Sequence, residues 1–205
     1  MKKILLLFTI LFVSVMTTAC INNLAIQELN NKAESYMDKG DTETAICRLK
    51  SSLDLDNEIY QTHYNLAVAY NSVGNYEGAV EELKKVIELK PEFADTYYTL
   101  AVAKEALAYK IIEKEADENG VIPELSLDDI AKFNDKASDT VETYNLYLVK
   151  KPDASETEQI NAKIAELNSK IKEYTAIYDS KNLENVKKIQ DEVTPIDEKK
   201  DEVTE

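Results

Sequence analysis

The chain has no tryptophan, one histidine, two cysteines, four glycines and four prolines in 205 residues. Four glycines leave few positions for phosphate-cradling loops, tight hairpins or left-handed turns, so a dinucleotide-binding sheet or a β-sandwich is not expected. So few histidines and thiols cannot assemble a zinc site of the usual kind, and a histidine-dependent triad would have to use His63 itself. No metal or cofactor is implied. Positive charge is scarce as well: 24 Lys plus Arg stand against 39 Asp plus Glu, a net charge of -15. That balance argues against nucleic acid and against docking on anionic headgroups, both of which need clustered cations. What is present is an ordinary 44% apolar fraction, enough for a folded chain, with helices as the default.

Residues 1–19 read as a secretory signal. A short cationic start, Met1 to Lys3, precedes an apolar run from Ile4 to Met16 and the small residues Thr17, Thr18 and Ala19, directly before Cys20. The run is short for a spanning helix, which needs about 20 apolar residues. The segment resembles a bacterial lipoprotein signal, in which cleavage leaves a diacylglyceryl-modified cysteine at the N-terminus. The resemblance implies a lipid on Cys20 and, with Ile21 following, sorting to the outer membrane facing the periplasm. Thr17 stands where that family usually carries an aliphatic residue, and Thr17 with Ala19 also suits ordinary signal peptidase. Acyl chains at about 0.8 kcal/mol per buried CH₂ would hold the domain on a membrane. Residues 20–25 are the tether, a reach of roughly 20 Å at most. With Cys20 acylated, Cys47 has no intramolecular partner and reads as a core-edge cysteine.

The main signal is an internal repeat. Ile26 to Ile59 aligns under Tyr60 to Phe93 at an offset of 34 residues: Ala33 falls on Ala67, Tyr36 on Tyr70, Gly40 on Gly74, Ala45 on Ala79, Leu49 on Leu83, Leu53 on Ile87 and Leu55 on Leu89. Leu66, Ala67 and Tyr70 lie on one face of a first helix, and Ala79, Leu83, Val86 and Ile87 on one face of a second. Small Ala67 and Ala79 permit close backbone approach, the glycines sit at the reversal, and Pro91 stops the second helix. Tyr64-Asn65-Leu66-Ala67-Val68-Ala69-Tyr70, Gly74-Asn75-Tyr76, Ala79-Val80 and Pro91 resemble a tetratricopeptide repeat. The implied fold class is all-α, a short α-solenoid of such hairpins.

Residues 26–93 hold two repeats. A third, over 94–154, opens with Tyr97, Leu100 and Ala101 in register. Lys104 then replaces the expected tyrosine, the turn glycine is missing, and an insertion of about 27 residues lengthens both helices. Ser126-Leu127-Asp128-Asp129 is a helix-opening cap, followed by Ile130, Phe133, Ala137, Val141, Tyr144 and Leu148. The stripe Ile160, Ile164, Leu167, Ile171, Tyr174 and Tyr178 predicts a helix over 155–180 that caps the array, the other reading being a coiled-coil strand. Leu183, Val186, Ile189 and Val193 would prolong it weakly. Residues 181–205 read as an acidic, disordered tail.

No spacing points to catalysis, and an enzyme is not expected. His63 reads as a packing residue, and carboxylates such as Glu81-Glu82 read as a solvated face. In tetratricopeptide repeats the first helices line a groove. The resemblance places in it Gln27, Asn30, Glu34, Met37 and Asp38 from the first repeat, Gln61, Tyr64, Val68, Asn71 and Ser72 from the second, and Asp95, Tyr98, Val102, Glu105 and Ala106 from the third. Tyr64 and Tyr98 would be ring anchors, and the amides of Asn30 and Asn71 would pair with a peptide backbone. Members that grip a C-terminal carboxylate use Lys or Arg where this chain has Asn30, Asp95 and Thr99. With Glu34, Asp38, Asp95 and Glu105 on the rim, a neutral or basic protein segment is the expected partner. The implied function is a membrane-tethered interaction scaffold of the cell envelope. The alternatives are a small-ligand or peptidoglycan-binding lipoprotein, which needs a closed pocket, and an envelope hydrolase, which needs a paired carboxylate or an activated serine. The insertion, 105–136, is a second place where a partner could sit.

Overall fold

The computed structural model describes residues 22–114 and 122–193, with side chains through 190. Cys20 and the signal segment, the middle of the insertion and the chain after 193 lie outside the described residues. Among the described residues there are seven helices and no strand: α1 (22–38), α2 (Thr42–Leu55), α3 (Tyr60–Ser72), α4 (Tyr76–Leu89), α5 (Asp95–Ile112), α6 (Leu127–Lys150) and α7 (Thr157–Val193). None is long and apolar enough to cross a membrane. The chain forms two compact units.

The first unit contains α1 to α4, α5 as far as Ala103, and residues 149–151. Its two hairpins turn in the same way because the same residue types recur. Gly40 and Gly74 have φ of 77° and 75°, a region in which an L side chain is strained. A Cβ at either would meet nothing within 4 Å, so glycine is required by conformation and not by space. Around each turn the bonds repeat: the amides of Gly40 and Asp41 donate to the carbonyls of Met37 and Tyr36, and those of Gly74 and Asn75 donate to Asn71 and Tyr70. The next residue then caps the second helix. Asp41 accepts from the Thr44 amide at 3.2 Å, and Asn75 from the Gly78 amide at 3.1 Å, satisfying donors that the helix start leaves free.

Side chains from consecutive helices meet in two core clusters. Ala33 of α1, Ala45, Ile46 and Leu49 of α2, and Leu66 and Ala69 of α3 form one. Ala67 of α3, Ala79 and Leu83 of α4, and Leu100 and Ala103 of α5 form the other. Each fully buried leucine contributes about 1.5–3 kcal/mol of transfer free energy. The alanines let the helix axes approach closely enough for the leucines to touch. Cys47, expected at the core edge, is exposed on α2.

The second unit runs from Lys104 to Leu148 and on from Pro152. At the start of α6, the Ser126 Oγ accepts from the Asp129 amide at 3.0 Å while the Asp129 carboxylate accepts from the Ser126 amide at 3.1 Å, a reciprocal cap. The Ser126 hydroxyl and amide, with Lys114, hold the Asp129 carboxyl down at about 2. Ile130, Phe133, Ala137 and Tyr144 of α6 are buried with Ala108 of α5 and Ile160 and Leu167 of α7. Phe133 is the centre: its ring lies 5.0 Å from that of Tyr174 and 6.2 Å from that of Tyr109. Lys104 sends its ammonium to Asp139 and Thr143 at 2.8 and 3.0 Å, so the position that would carry a tyrosine in a regular repeat is an ion-pair donor here. α7 does not end near 180. It continues to Val193, which corrects the tail reading over 181–193 alone, residues 194–205 lying outside the described ones, and exposes Leu183, Val186 and Ile189 along its last turns.

Candidate functional site

The face shared by α1, α3 and α5 is built from hydrogen bonds between the helices as well as from the core beneath it. Asn30 of α1 donates from Nδ2 to the Ser52 Oγ and the Thr62 Oγ1, each at 3.0 Å, and to the Ile26 carbonyl. Its Oδ1 accepts from Asn65 at 3.3 Å. Asn71 of α3 donates to the Thr99 carbonyl of α5 at 3.4 Å, and its own Oδ1 is buried with no hydrogen-bond partner. The two amides assigned to a peptide backbone by the sequence are therefore turned inward and fasten neighbouring helices to each other. Met37 likewise packs on the first core cluster.

Of the other residues the sequence assigns to the groove, Gln27, Glu34, Asp38, Gln61 and Ser72 are exposed, and Tyr64, Val68, Asp95, Tyr98 and Val102 are half-buried. Tyr64 is held on several sides. Its ring packs edge-on against Phe93 at 5.0 Å, it borders the second core cluster, and its hydroxyl lies 3.2 Å from the Thr99 Oγ1. Thr99 spends its own proton on the Asp95 carbonyl at 3.0 Å, so the tyrosine donates to the threonine. Phe93 also meets Tyr60 at 5.3 Å, and Lys90 lies 4.6 Å over the Tyr60 ring. The sequence did not single out Tyr60 or Phe93, and it marked Thr99 only as a place where carboxylate-gripping members carry Lys or Arg. Their signal was their position at the junction between repeats, where consecutive first helices touch.

Charge on the face is less uniform than the sequence suggested. Glu34 and Asp38 are exposed. Asp95 pairs with Lys151 at 3.0 Å. Glu105 is no rim acid: it belongs to the second unit, where the Lys163 ammonium sits 2.7 and 2.8 Å from its two oxygens and the Tyr144 hydroxyl donates to it. Ala106 also falls in the second unit. Glu82, expected on a solvated helix face, is half-buried against His63. Gln27 additionally borders an open hollow of about 440 Å³ with Leu24, Glu28, Asn31, Lys32 and Ser35, all of α1.

The two junctions between repeats differ in a way that bears on the face. At the first, Asn30, Ser52 and Thr62 satisfy one another, and Ser52 and Thr62 are fully buried. At the second, 34 residues on, the equivalent places hold Tyr64, Val86 and Thr96. The exchange of asparagine for tyrosine puts a ring on the face. It leaves the fully buried Thr96 hydroxyl without a partner. A buried unpaired hydroxyl costs about 1–3 kcal/mol. Thr96→Val is therefore expected to raise the urea midpoint by an amount equivalent to about 1 kcal/mol, whereas Thr62→Val lowers it by at least as much. Equal effects at the two sites would contradict the difference between the junctions.

Residues 69–107 match the TPR repeat family, a segment that begins in α3 and ends in α5. Comparison with curated proteins finds no match. Among solved structures, the second TPR domain of human RPAP3 in complex with the HSP70 peptide SGPTIEEVD is similar with a TM-score of 0.54 and 14% identity, over 72% of this chain and 98% of that one. The TPR2B domain of yeast Sti1 in its pHsp70 complex gives 0.54 and 16%, over 71% and 98%. The MamA protein gives 0.54 and 22%, over 87% and 81%. At these identities the likeness is one of fold.

Proposed function

With an all-α fold of tetratricopeptide type as the premise, we propose that the α1–α3–α5 face binds a neutral or basic segment of a partner protein, and that the chain serves as an interaction scaffold held on a bacterial envelope membrane by a lipid on Cys20. The observation that carries the first part is Tyr64. Its ring is fixed between Phe93 and the core before any partner arrives, so little side-chain entropy is lost on contact. Val68, Tyr98 and Val102 extend the same half-buried surface. The peptide seen with human RPAP3 ends in Glu-Glu-Val-Asp. This face offers such a tail no Lys or Arg at the matching positions, and the exposed carboxylates of Glu34 and Asp38 would repel it.

Binding is testable with soluble peptides of matched length and opposite charge, read by titration calorimetry. Neutral or basic peptides are expected to bind, acidic ones to bind at least tenfold more weakly, and Tyr64→Ala with Tyr98→Ala to weaken the best binder by about 30-fold, the loss typical of a ring anchor of about 2 kcal/mol. Preference for acidic peptides would overturn the assignment. The tether rests on Cys20 and the segment before it. Cys20→Ala is expected to move the chain from the membrane to the soluble fraction and to abolish labelling by a fatty-acid analogue, and labelling that persists would sink it.

A further inference from the structure

The only histidine in the chain is 7% exposed and sits between two oxygen acceptors. Its Nδ1 lies 2.6 Å from a carboxylate oxygen of Glu82 on α4. Its Nε2 lies 2.8 Å from the carbonyl oxygen of Asn57, in the turn between α2 and α3. A carboxylate and a carbonyl can only accept, and a neutral imidazole has one N–H to give. In either neutral tautomer one ring nitrogen would point its lone pair at an oxygen lone pair within hydrogen-bond distance. The doubly protonated ring alone satisfies both contacts, and both then carry a charge-assisted bond.

The surroundings favour that cation. Glu82 is the carboxylate facing it from α4. Lys85, also on α4, opposes it, but its ammonium is tied to Glu88 at 2.7 Å. From α2, Lys50 senses the charge of Glu82. In the turn, the Asp56 carboxylate is engaged by the Glu58 amide at 2.9 Å. The Glu82 bond raises the affinity of His63 for its proton, burial lowers it, and the Asn57 carbonyl raises it again, the balance lying above the ordinary value of 6.5.

We propose that His63 is a pH-dependent clasp between the α2–α3 turn and α4, closed while the ring carries both protons and released at the turn when it loses one. The remaining proton stays on Nδ1, because the Glu82 carboxylate is the stronger acceptor, and Nε2 then presents a lone pair to the Asn57 carbonyl. Since the folded state binds the proton more tightly than the unfolded chain, the stabilisation is fully present below about pH 6.5 and fades as pH rises through the folded-state value. A medium that turns alkaline would thus loosen the turn that leads into α3 and into Tyr60.

The intact protein gives one set of imidazole signals, so nitrogen and carbon NMR of the ring across a pH series reads the clasp directly. We expect a ring still doubly protonated at pH 6.5, a single midpoint above that value, and a midpoint lowered in Glu82→Gln. The Glu58 amide of the turn, which donates to the Asp56 carboxylate, should lose protection from exchange, after correction for intrinsic rates, at the same midpoint. A wild-type midpoint at or below 6.5, or a Glu82→Gln midpoint equal to wild type, or turn protection that ignores the ring, would each overturn the proposal. In urea, the stability advantage of wild type over His63→Gln should shrink as pH rises. An advantage constant across pH would also overturn it, and the wild-type titration stands even if that variant fails to fold.

Discussion

Leu83→Ala is expected to lower the unfolding free energy by about 3–5 kcal/mol, the upper part of the range for buried leucine truncations. Leu83 is fully buried in α4, and apart from Leu100 the buried members of its cluster, Ala67, Ala79 and Ala103, are methyl side chains with no reach to fill the space, the larger Tyr64, Tyr70, Tyr76, Val80 and Ile87 packing on it only from partly buried positions. Such a site collapses poorly, and the cost of the residual cavity is added to the lost transfer free energy. Urea denaturation followed by far-UV circular dichroism measures the loss. A change below about 1 kcal/mol would mean that α3, α4 and α5 do not share this core.

Phe133→Ala is expected to cost the second unit about 3–5 kcal/mol. The ring is fully buried on α6 and contacts aromatic rings from α5 and α7, so its removal takes away area burial and two edge-to-face or tilted ring contacts at once. Tyr109 adds a readout. Burial first, and then its hydrogen bond to Glu166 at 2.9 Å, push its phenol above the ordinary value of 10.0. Opening the cavity admits water, so the Tyr109 ionisation, followed by ultraviolet difference absorption, should move back toward the ordinary value in the variant. An unchanged tyrosine titration together with unchanged stability would show that Phe133 does not bind the three helices together.

The 34-residue repeat was legible because burial imposes the same residue types at the same places: an alanine wherever two backbones meet, a glycine at each left-handed turn, and a leucine in each core. The direction in which a polar side chain turns was not. Helical periodicity assigns a residue to a face, but Asn30 and Asn71 sit at the edge of that face, and their short amides reach sideways to Thr62 and Thr99. Glu105 was misplaced for a different reason. The lengthened α5 carries it into the second unit, where a lysine 58 positions later in the sequence pairs with it. Nothing in α5 itself announces that partner. His63 and Glu82 are separated by 19 positions and meet only because the hairpin closes between them. Over residues 181–193 the spaced Leu183, Val186, Ile189 and Val193 pointed to a continuing helix, while the density of charge read as a tail. Lys, Glu and Gln are good helix formers, however, no proline intervenes before Pro195, and Glu184 pairs with Lys188 one turn on at 2.9 Å.

We place the partner segment on the α1–α3–α5 face. Site-specific photo-crosslinking in living cells tests it most directly, with the crosslinker placed in turn at Gln61 and Tyr98 on the face and at Lys84 on the exposed side of α4. The account requires one and the same partner to be captured from Gln61 and Tyr98, with capture from Gln61 lost in Tyr64→Ala and absent from Lys84. Capture from Lys84 with none from the face would contradict it.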